Sequence, residues 1–455
     1  MLIYALAAIL FLLMIVNLVI MQGDWFSPVV ILPASFLFST LCAMYNIKEW
    51  GINLGWQTFW TIAGGLMVFT VASYVTLIIM DGPLRARKRR LSAQPNLQNY
   101  ILDIHPALRI LLPLAFLLAL LIYYRTLQST FVSLGADNAG FSDAMSAYRT
   151  AGADPTQSDK TAFPTYVVYL QNTMHAMSYP LMYIAVNNLI NSSKPSSTDI
   201  SCLICIALYS TSVILQGGRL PLLEIIMGAV VMIWIVWHRR HGWHRRIRFS
   251  YVLAIIGTAV GSLFGFTALS TLVGRDAPEN PLKYITMYSG GSIELLDLFL
   301  KDPYPSSDIW GRETFRGIIS ALGRHLGIQD YQFSYQLEFR WHNGILLGNV
   351  YTAFRYWIYD FGYYGWFIFT IFYAVLYTAL YHHIKKKTGL RTFDYSLAVF
   401  SCIYSSLVLL TIQDILIAAN LNPGGIYMLL CIIASGWGLQ KTGYTTPVRY
   451  GMTRS

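Results

Sequence analysis

Residues 3–21, IYALAAILFLLMIVNLVIM, run for nineteen positions without a charged side chain. A helix rises about 1.5 Å per residue, so a stretch of this length spans about 30 Å, the hydrocarbon core of a bilayer. Comparable runs return near 28–45, 56–80, 107–124, 164–190, 199–216, 220–237, 250–272, 353–381, 394–413 and 424–439. In lipid the backbone must satisfy its own hydrogen bonds, so these runs are expected as helices rather than open strands. The expected fold class is all-α, a polytopic transmembrane bundle of about eleven helices. The first run has no basic residues before it and no small-x-small cleavage pattern, which predicts a retained helix rather than a signal peptide.

Composition points the same way. Hydrophobic residues make up 55% of the 455-residue chain and charged residues 12%, with a mean hydropathy of +0.49. Soluble domains carry about 25% charged residues. The 15% aromatic content suits a protein that lines two membrane–water interfaces. All five cysteines fall inside apolar runs, so no disulfide is expected, and Cys202 and Cys205 read as i, i+3 neighbours on a lipid-facing helix. The net charge of +10 is concentrated in four clusters. These are Arg85, Arg87, Lys88, Arg89 and Arg90; Arg239, Arg240, Arg245, Arg246 and Arg248; Lys385, Lys386, Lys387 and Arg391; and Lys441, Arg449 and Arg454. The intervening runs place all four on one side, the cytoplasm by the positive-inside rule, so the basic charge is topogenic and no nucleic-acid partner is expected. The chain then divides into residues 1–272, with eight spans and an outer segment near 125–163; a large outer loop, 273–352; and residues 353–455, with three spans and a cytoplasmic tail.

The loop 273–352 is far longer than the usual connection of about 4–6 residues, and long ordered loops on a rigid scaffold carry function. It holds Arg275, Arg312, Arg316, Arg324 and Arg340, with Arg355 at the membrane re-entry. Outer-side arginines run against the positive-inside bias, and their planar forks match phosphate oxygens. They are equally able to form structural ion pairs with Glu294, Asp297, Asp302, Asp308, Glu313 and Glu338. Residues 286–300, TMYSGGSIELLDLFL, read as an amphipathic helix behind a glycine break, either lying on the interface or packed internally. Gly217-Gly218-Arg219 sits at an outer turn before Pro221, with Glu224 inside the following span, an anion-binding corner or an Arg219–Glu224 pair. At the ninth run stand Gly348-Asn349-Val350-Tyr351-Thr352, then Asp360-Phe361-Gly362 and Gly365. His175, in the fifth run, reads as a packing residue. The sequence has no HExxH, clustered His and Cys, P-loop or GxSxG, so neither a metal nor a nucleotide cofactor is expected.

In order and sidedness, Gly217-Gly218-Arg219, the long outer loop, the Gly348–Thr352 motif and Asp360-Phe361-Gly362 resemble the oligosaccharide repeat-unit polymerases, the Wzy or O-antigen polymerase family. The resemblance implies a C-type glycosyltransferase-like bundle in the bacterial inner membrane, active on its periplasmic face. It would join undecaprenyl-diphosphate-linked repeat units into an O-antigen, common antigen or capsule without a metal. Membrane lipids, a chain-length regulator and a flippase would be its partners. The related O-antigen ligases carry a His before the Asn of the later motif, where this chain has Gly348 before Asn349; its nearest His-Asn is His342-Asn343. A lipid-linked oligosaccharide flippase, marked by midplane charges, broken helices and repeats, is the reading from a different class. Chemically, a sugar–diphosphate bond breaks when the leaving charge is neutralised. Arg219, Arg312 and Arg340 are the candidates for that role, with Glu224 or Asp360 as a weak base. Arg275, Arg316, Arg355, Asn349, Tyr351 and His342 are candidates for holding substrate.

Overall fold

The computed structural model describes residues 1–81, 100–136, 139–153, 158–192, 194–217, 220–243, 257, 280–305, 307–328, 337–387 and 392–447. It is mostly helical. In chain order the main helices are α1 (Leu2–Ile20), α2 (Pro28–Tyr45), α3 (Trp56–Asp81), α4 (Pro106–Ser133), α5 (Phe141–Ala153), α6 (Thr165–Asn191) and α7 (Ser197–Leu215). There follow α8 (Leu220–His241), α9 (Pro281–Lys301), α10 (Arg316–Leu326), α11 (Ala353–Lys386), α12 (Tyr395–Val408) and α13 (Pro423–Thr442). Strand β1 (Tyr100–Asp103) pairs antiparallel with β4 (Tyr444–Pro447), and β2 (Arg340–His342) with β3 (Ile345–Gly348). Among the described residues seven helices, α1 to α4, α7, α8 and α11, are long and apolar enough to cross a membrane. The runs at 164–190 and 424–439 lie on helices outside that group, the run at 394–413 on a shorter one, and the run at 250–272 lies outside the described residues.

The chain forms two compact units, interleaved along the sequence. The first comprises Met1–Leu91, Asn280–Ile384 and Ser405–Gly425. Here α2 packs against both α1 and α9. Buried Asn17 of α1 joins three helices: its amide donates to Val29 O at 2.7 Å and Thr70 Oγ1 at 3.3 Å, and its oxygen accepts from Tyr74 at 2.8 Å. Helix α9 is the stretch expected behind a glycine break. It runs unbroken, and a Cβ at Gly290 would sit 2.4 Å from Ala43 N, so that glycine sets a close approach to α2. Glu294 and Asp297, taken from sequence as a polar face, are fully buried. Of the two expectations for this helix, internal packing is the one found.

The run expected at 394–413 does not stay helical to its end. After α12 the chain tightens into a 3₁₀ turn, Leu409–Thr411, extends at Asp414 (φ −85°, ψ 90°), and makes a π turn, Ile415–Ala419. Asp414 holds this break. It is fully buried, and its carboxylate accepts from Trp357 Nε1 at 2.8 Å, Tyr373 OH at 2.5 Å and Ile417 N at 3.0 Å. Three donors compensate a charge that burial alone would make costly.

The second unit comprises Ser92–Glu279, Lys385–Tyr404 and Ile426–Ser455. In it α7 packs on α4 and α6, and α8 on α6. Asn188 of α6 acts as a backbone clamp for β1: it accepts from Leu102 N at 2.8 Å and donates to Leu102 O at 2.7 Å. Arg239 and Lys387 both meet Asp394 at 2.8 Å. Cys202 and Cys205 are fully buried, so they face the packing of this unit rather than lipid. The outer segment expected near 125–163 is largely helical: α4 continues to Ser133, and α5 covers a small core with Tyr123, Leu127, Phe131 and Met145.

Replacing Asp414 by Ala leaves three buried donors without an acceptor, each worth about 1–3 kcal/mol. The denaturation midpoint in detergent should fall by the equivalent of about 2–5 kcal/mol, and less for Asp414→Asn, which keeps one oxygen. An unchanged midpoint for Asp414→Ala would remove its anchoring role.

Candidate functional site

The candidate site of the first unit is built on the first turns of α11. The helix is interrupted at Gly362, whose φ of 62° and ψ of −157° belong to a conformation that a side chain would resist. Just before this kink, the Asp360 carboxylate accepts from Glu313 N at 3.1 Å and Thr314 N at 2.6 Å. Thr314 in turn donates to Tyr356 O at 3.2 Å. One half of the long loop is thereby pinned to the helix.

Arg355 holds both halves. Its side chain is 1% exposed; one terminal nitrogen pairs with Glu313 and the other donates to Glu338 Oε2 at 2.7 Å. The guanidinium carbon lies 4.9 Å from the ring centres of Phe299 and Tyr351 and 5.0 Å from that of Tyr359. Aromatic faces attract a desolvated cation, and two carboxylates offset the cost of burying it. Around this centre stand Arg340, Arg316 and Arg312. Arg340 donates to Leu298 O at 3.0 Å and Asp302 O at 2.7 Å, has Nε 3.8 Å from Glu338 Oε1, and stacks on Tyr304 at 5.3 Å. Arg316 is buried with its guanidinium 5.5 Å from the Tyr356 ring centre. Arg312 is half-buried and close enough to Tyr359 and Asp360 to act on both through its charge.

The hairpin β2–β3 is fastened beside this cluster. Tyr351 donates to Glu338 O at 3.3 Å and Asn349 to Leu337 O at 3.4 Å, so these motif residues brace the loop. His342 Nδ1 lies 2.8 Å from Glu294 Oε1, and Asn343 donates to Glu49 O at 2.9 Å. Asp297, one turn along α9, accepts from Gly55 N at 2.8 Å and Thr58 Oγ1 at 2.5 Å and meets Lys301 at 2.5 Å.

Of the residues singled out from sequence, Arg312, Arg316, Arg340, Arg355, Asp360, Asn349 and Tyr351 are gathered in this one unit. His342 is directed to Glu294. Glu224 belongs to the second unit, where His175 Nε2 lies 3.9 Å from Glu224 Oε2, accompanied by Tyr179 at 3.4 Å and a Tyr209 ring stacked at 5.0 Å. Arg219 and Arg275 lie outside the described residues. The ion-pair alternative holds for Arg355, whose two terminal nitrogens both meet carboxylates, and for Arg340, which lies 3.9 Å from Asp302 and 3.8 Å from Glu338. Sequence reasoning did not single out Tyr304, Tyr359 or Phe299, because aromatic residues are frequent throughout this chain and carry no signal of partnership. Among the described residues no three His, Cys, Asp or Glu side chains gather to hold a metal.

No family model, curated protein or solved structure matches this chain. The functional reading rests on its own residues.

Burial pushes the Glu294 carboxyl up to about 7, with Asp297 adding to the shift and Lys301 opposing it. A carboxyl raised on folding holds its proton in the native state, so its contribution to stability is present at low pH and lost as pH rises through the folded value. Glu294→Gln should therefore match wild type near pH 5 and become the more stable of the two near pH 8. Thermal midpoints across this range check it; parallel pH profiles for the two proteins would contradict it.

Proposed function

We propose that the chain is an outer-face glycosyltransferase of the bacterial inner membrane. It joins oligosaccharide repeat units carried on undecaprenyl diphosphate into a surface polysaccharide, without a metal or nucleotide cofactor. The observation that carries this reading is the convergence of Arg312, Arg316 and Arg355 on one turn and a half of α11, Arg355 to Asp360, with Arg340 joined to them through Glu338. Dispersed, the arginines of a long loop would be solvated charge. Gathered against aromatic rings and fixed carbonyls, they form a preorganised field for the anionic leaving group, and such fields lower barriers most where water is excluded. In this reading Arg355 has a supporting part, since both its terminal nitrogens are committed to carboxylates. Arg340, whose terminal nitrogens donate to Leu298 O and Asp302 O, supports the loop in the same way. Arg312 and Arg316 act toward the diphosphate, and Arg219 is a candidate from the sequence alone. The acceptor hydroxyl needs little base assistance, because a diphosphate leaves readily once its charge is met. About eleven spans, with cytoplasmic basic clusters and the long loop outside, are part of the same proposal.

One observation favours the transporter reading. The break at 409–422 with its buried Asp414 is the kind of interrupted helix found at transport sites. The three donors around Asp414 all come from the protein, however, which suits an anchor better than a site for a moving ion.

Purified protein in liposomes, supplied with one undecaprenyl-diphosphate-linked repeat unit, should build a ladder of longer lipid-linked glycans, chelator present. Arg312→Ala, Arg316→Ala and Arg219→Ala should each slow it by about 100-fold or more, with Lys restoring only part. A transporter would form no ladder, and a ligase would wait for a lipid A-core acceptor. A ladder lost in chelator would point to a metal.

A further inference from the structure

Helix α10 presents its apolar residues outward. Ile318, Leu322 and Leu326, spaced i, i+4, i+8 on one face, are 37%, 46% and 66% exposed. The opposite face, with Arg316, Gly317, Ile319, Ser320, Ala321 and Gly323, is buried. A helix on a solvated loop turns its polar side to water; this one buries small and polar residues and exposes leucines. Its surroundings show what covers them. The N-terminal turn rests on the break in the apolar chain, where a Cβ on Gly317 would lie 3.1 Å from Ala418 O and 3.2 Å from Leu421 O. Phe315, the residue before the helix, packs on Phe361 and Phe369, and Phe369 is sixteen residues into α11, one of the helices able to cross a membrane. On the same stretch of α11, Phe367, Ile368 and Phe372 are exposed as well. Trp310 is 74% exposed yet held by Phe315 and Phe361 at 5.6 and 4.9 Å. Arg324 and His325, both exposed, end the helix. An apolar stripe, a rigid exposed Trp and a basic end are the features of an interfacial helix.

We propose that α10 lies in the membrane–water interface, with Ile318, Leu322 and Leu326 in the acyl chains of the bilayer and Arg324 and His325 among the lipid phosphates. The occupant is the bilayer itself. This placement does not depend on the glycosyl-transfer reading, but it has a consequence for it. It sets Arg316 and Arg312 at headgroup depth, where the diphosphate of a membrane-carried substrate resides.

The test uses the full chain in nanodiscs of synthetic phospholipid free of polyprenyl lipids, with the five native cysteines replaced and the protein eluting as wild type. Spin labels at Leu322→Cys and Leu326→Cys should favour oxygen over a water-soluble nickel chelate severalfold more than a label at Asp302→Cys, whose side chain is 93% exposed. They should match a label at Phe367→Cys. Ile318→Cys is the third position if either label disturbs folding. Labels as open to chelate as that at residue 302 would overturn the proposal in favour of a water-facing helix. Labels closed to both reagents would overturn it in favour of a second copy or another protein surface on this face.

Discussion

A guanidinium removed from water costs several kcal/mol unless its charge is met, and Arg355 is met twice, by Glu313 and Glu338. Those carboxylates belong to opposite halves of the long loop between α9 and α11. Because both must reach one buried cation, the loop closes on the start of α11, and three aromatic rings seal the closure. Asp360 fixes the same strand of loop from the other direction through the amides of residues 313 and 314. The remaining arginines inherit their positions: Arg312 precedes Glu313, and Arg340 follows Glu338 by two residues and shares it.

A second constraint works below the first. Asp414 stops the chain from continuing as a helix, and the break it holds is what α10 packs on. The two buried charges meet through α11, since Arg355 and Trp357, a donor to Asp414, are two residues apart on it. The short step from one to the other links the outer loop to the apolar body of the same unit. Glu294 and Asp297 extend the pattern on α9, where carboxylates inside the packing fix the hairpin and the turn before α3.

Much of the helical architecture was legible because lipid permits so few ways of satisfying a backbone. Ten of the eleven apolar runs lie on helices and the eleventh, 250–272, lies outside the described residues, among which seven helices reach the length and hydropathy of a span. The exceptions have physical causes. The run at 394–413 is apolar through Leu410, but Asp414 caps a turn immediately after it, and hydropathy is blind to a cap. In the stretch 286–300, Glu294 and Asp297 alternate with leucines as they would on a surface helix; only the partners His342, Thr58 and Lys301, remote in sequence or one turn away, reveal them as buried. The arginines of the site were visible as a group of charges in one long loop. That Arg355 is the one buried between Glu313 and Glu338 was not, since nothing in the sequence pairs it with either carboxylate. The outward leucines of α10 escaped notice because the helix has only eleven residues, too few to register as an apolar run.

The account depends on Arg355 organising the outer loop, and hydrogen exchange on Arg355→Met addresses this directly. Loss of the cation leaves Glu313 unmatched and Glu338 with Arg340 alone, a penalty of about 3–5 kcal/mol. Amides of residues 307–315 and 337–352 should then exchange together, about 100-fold or more faster than in wild type, while α6 and α7 of the second unit keep their protection. Wild-type protection in both loop segments, or loosening of only one, would contradict a single buried charge holding the two halves in place.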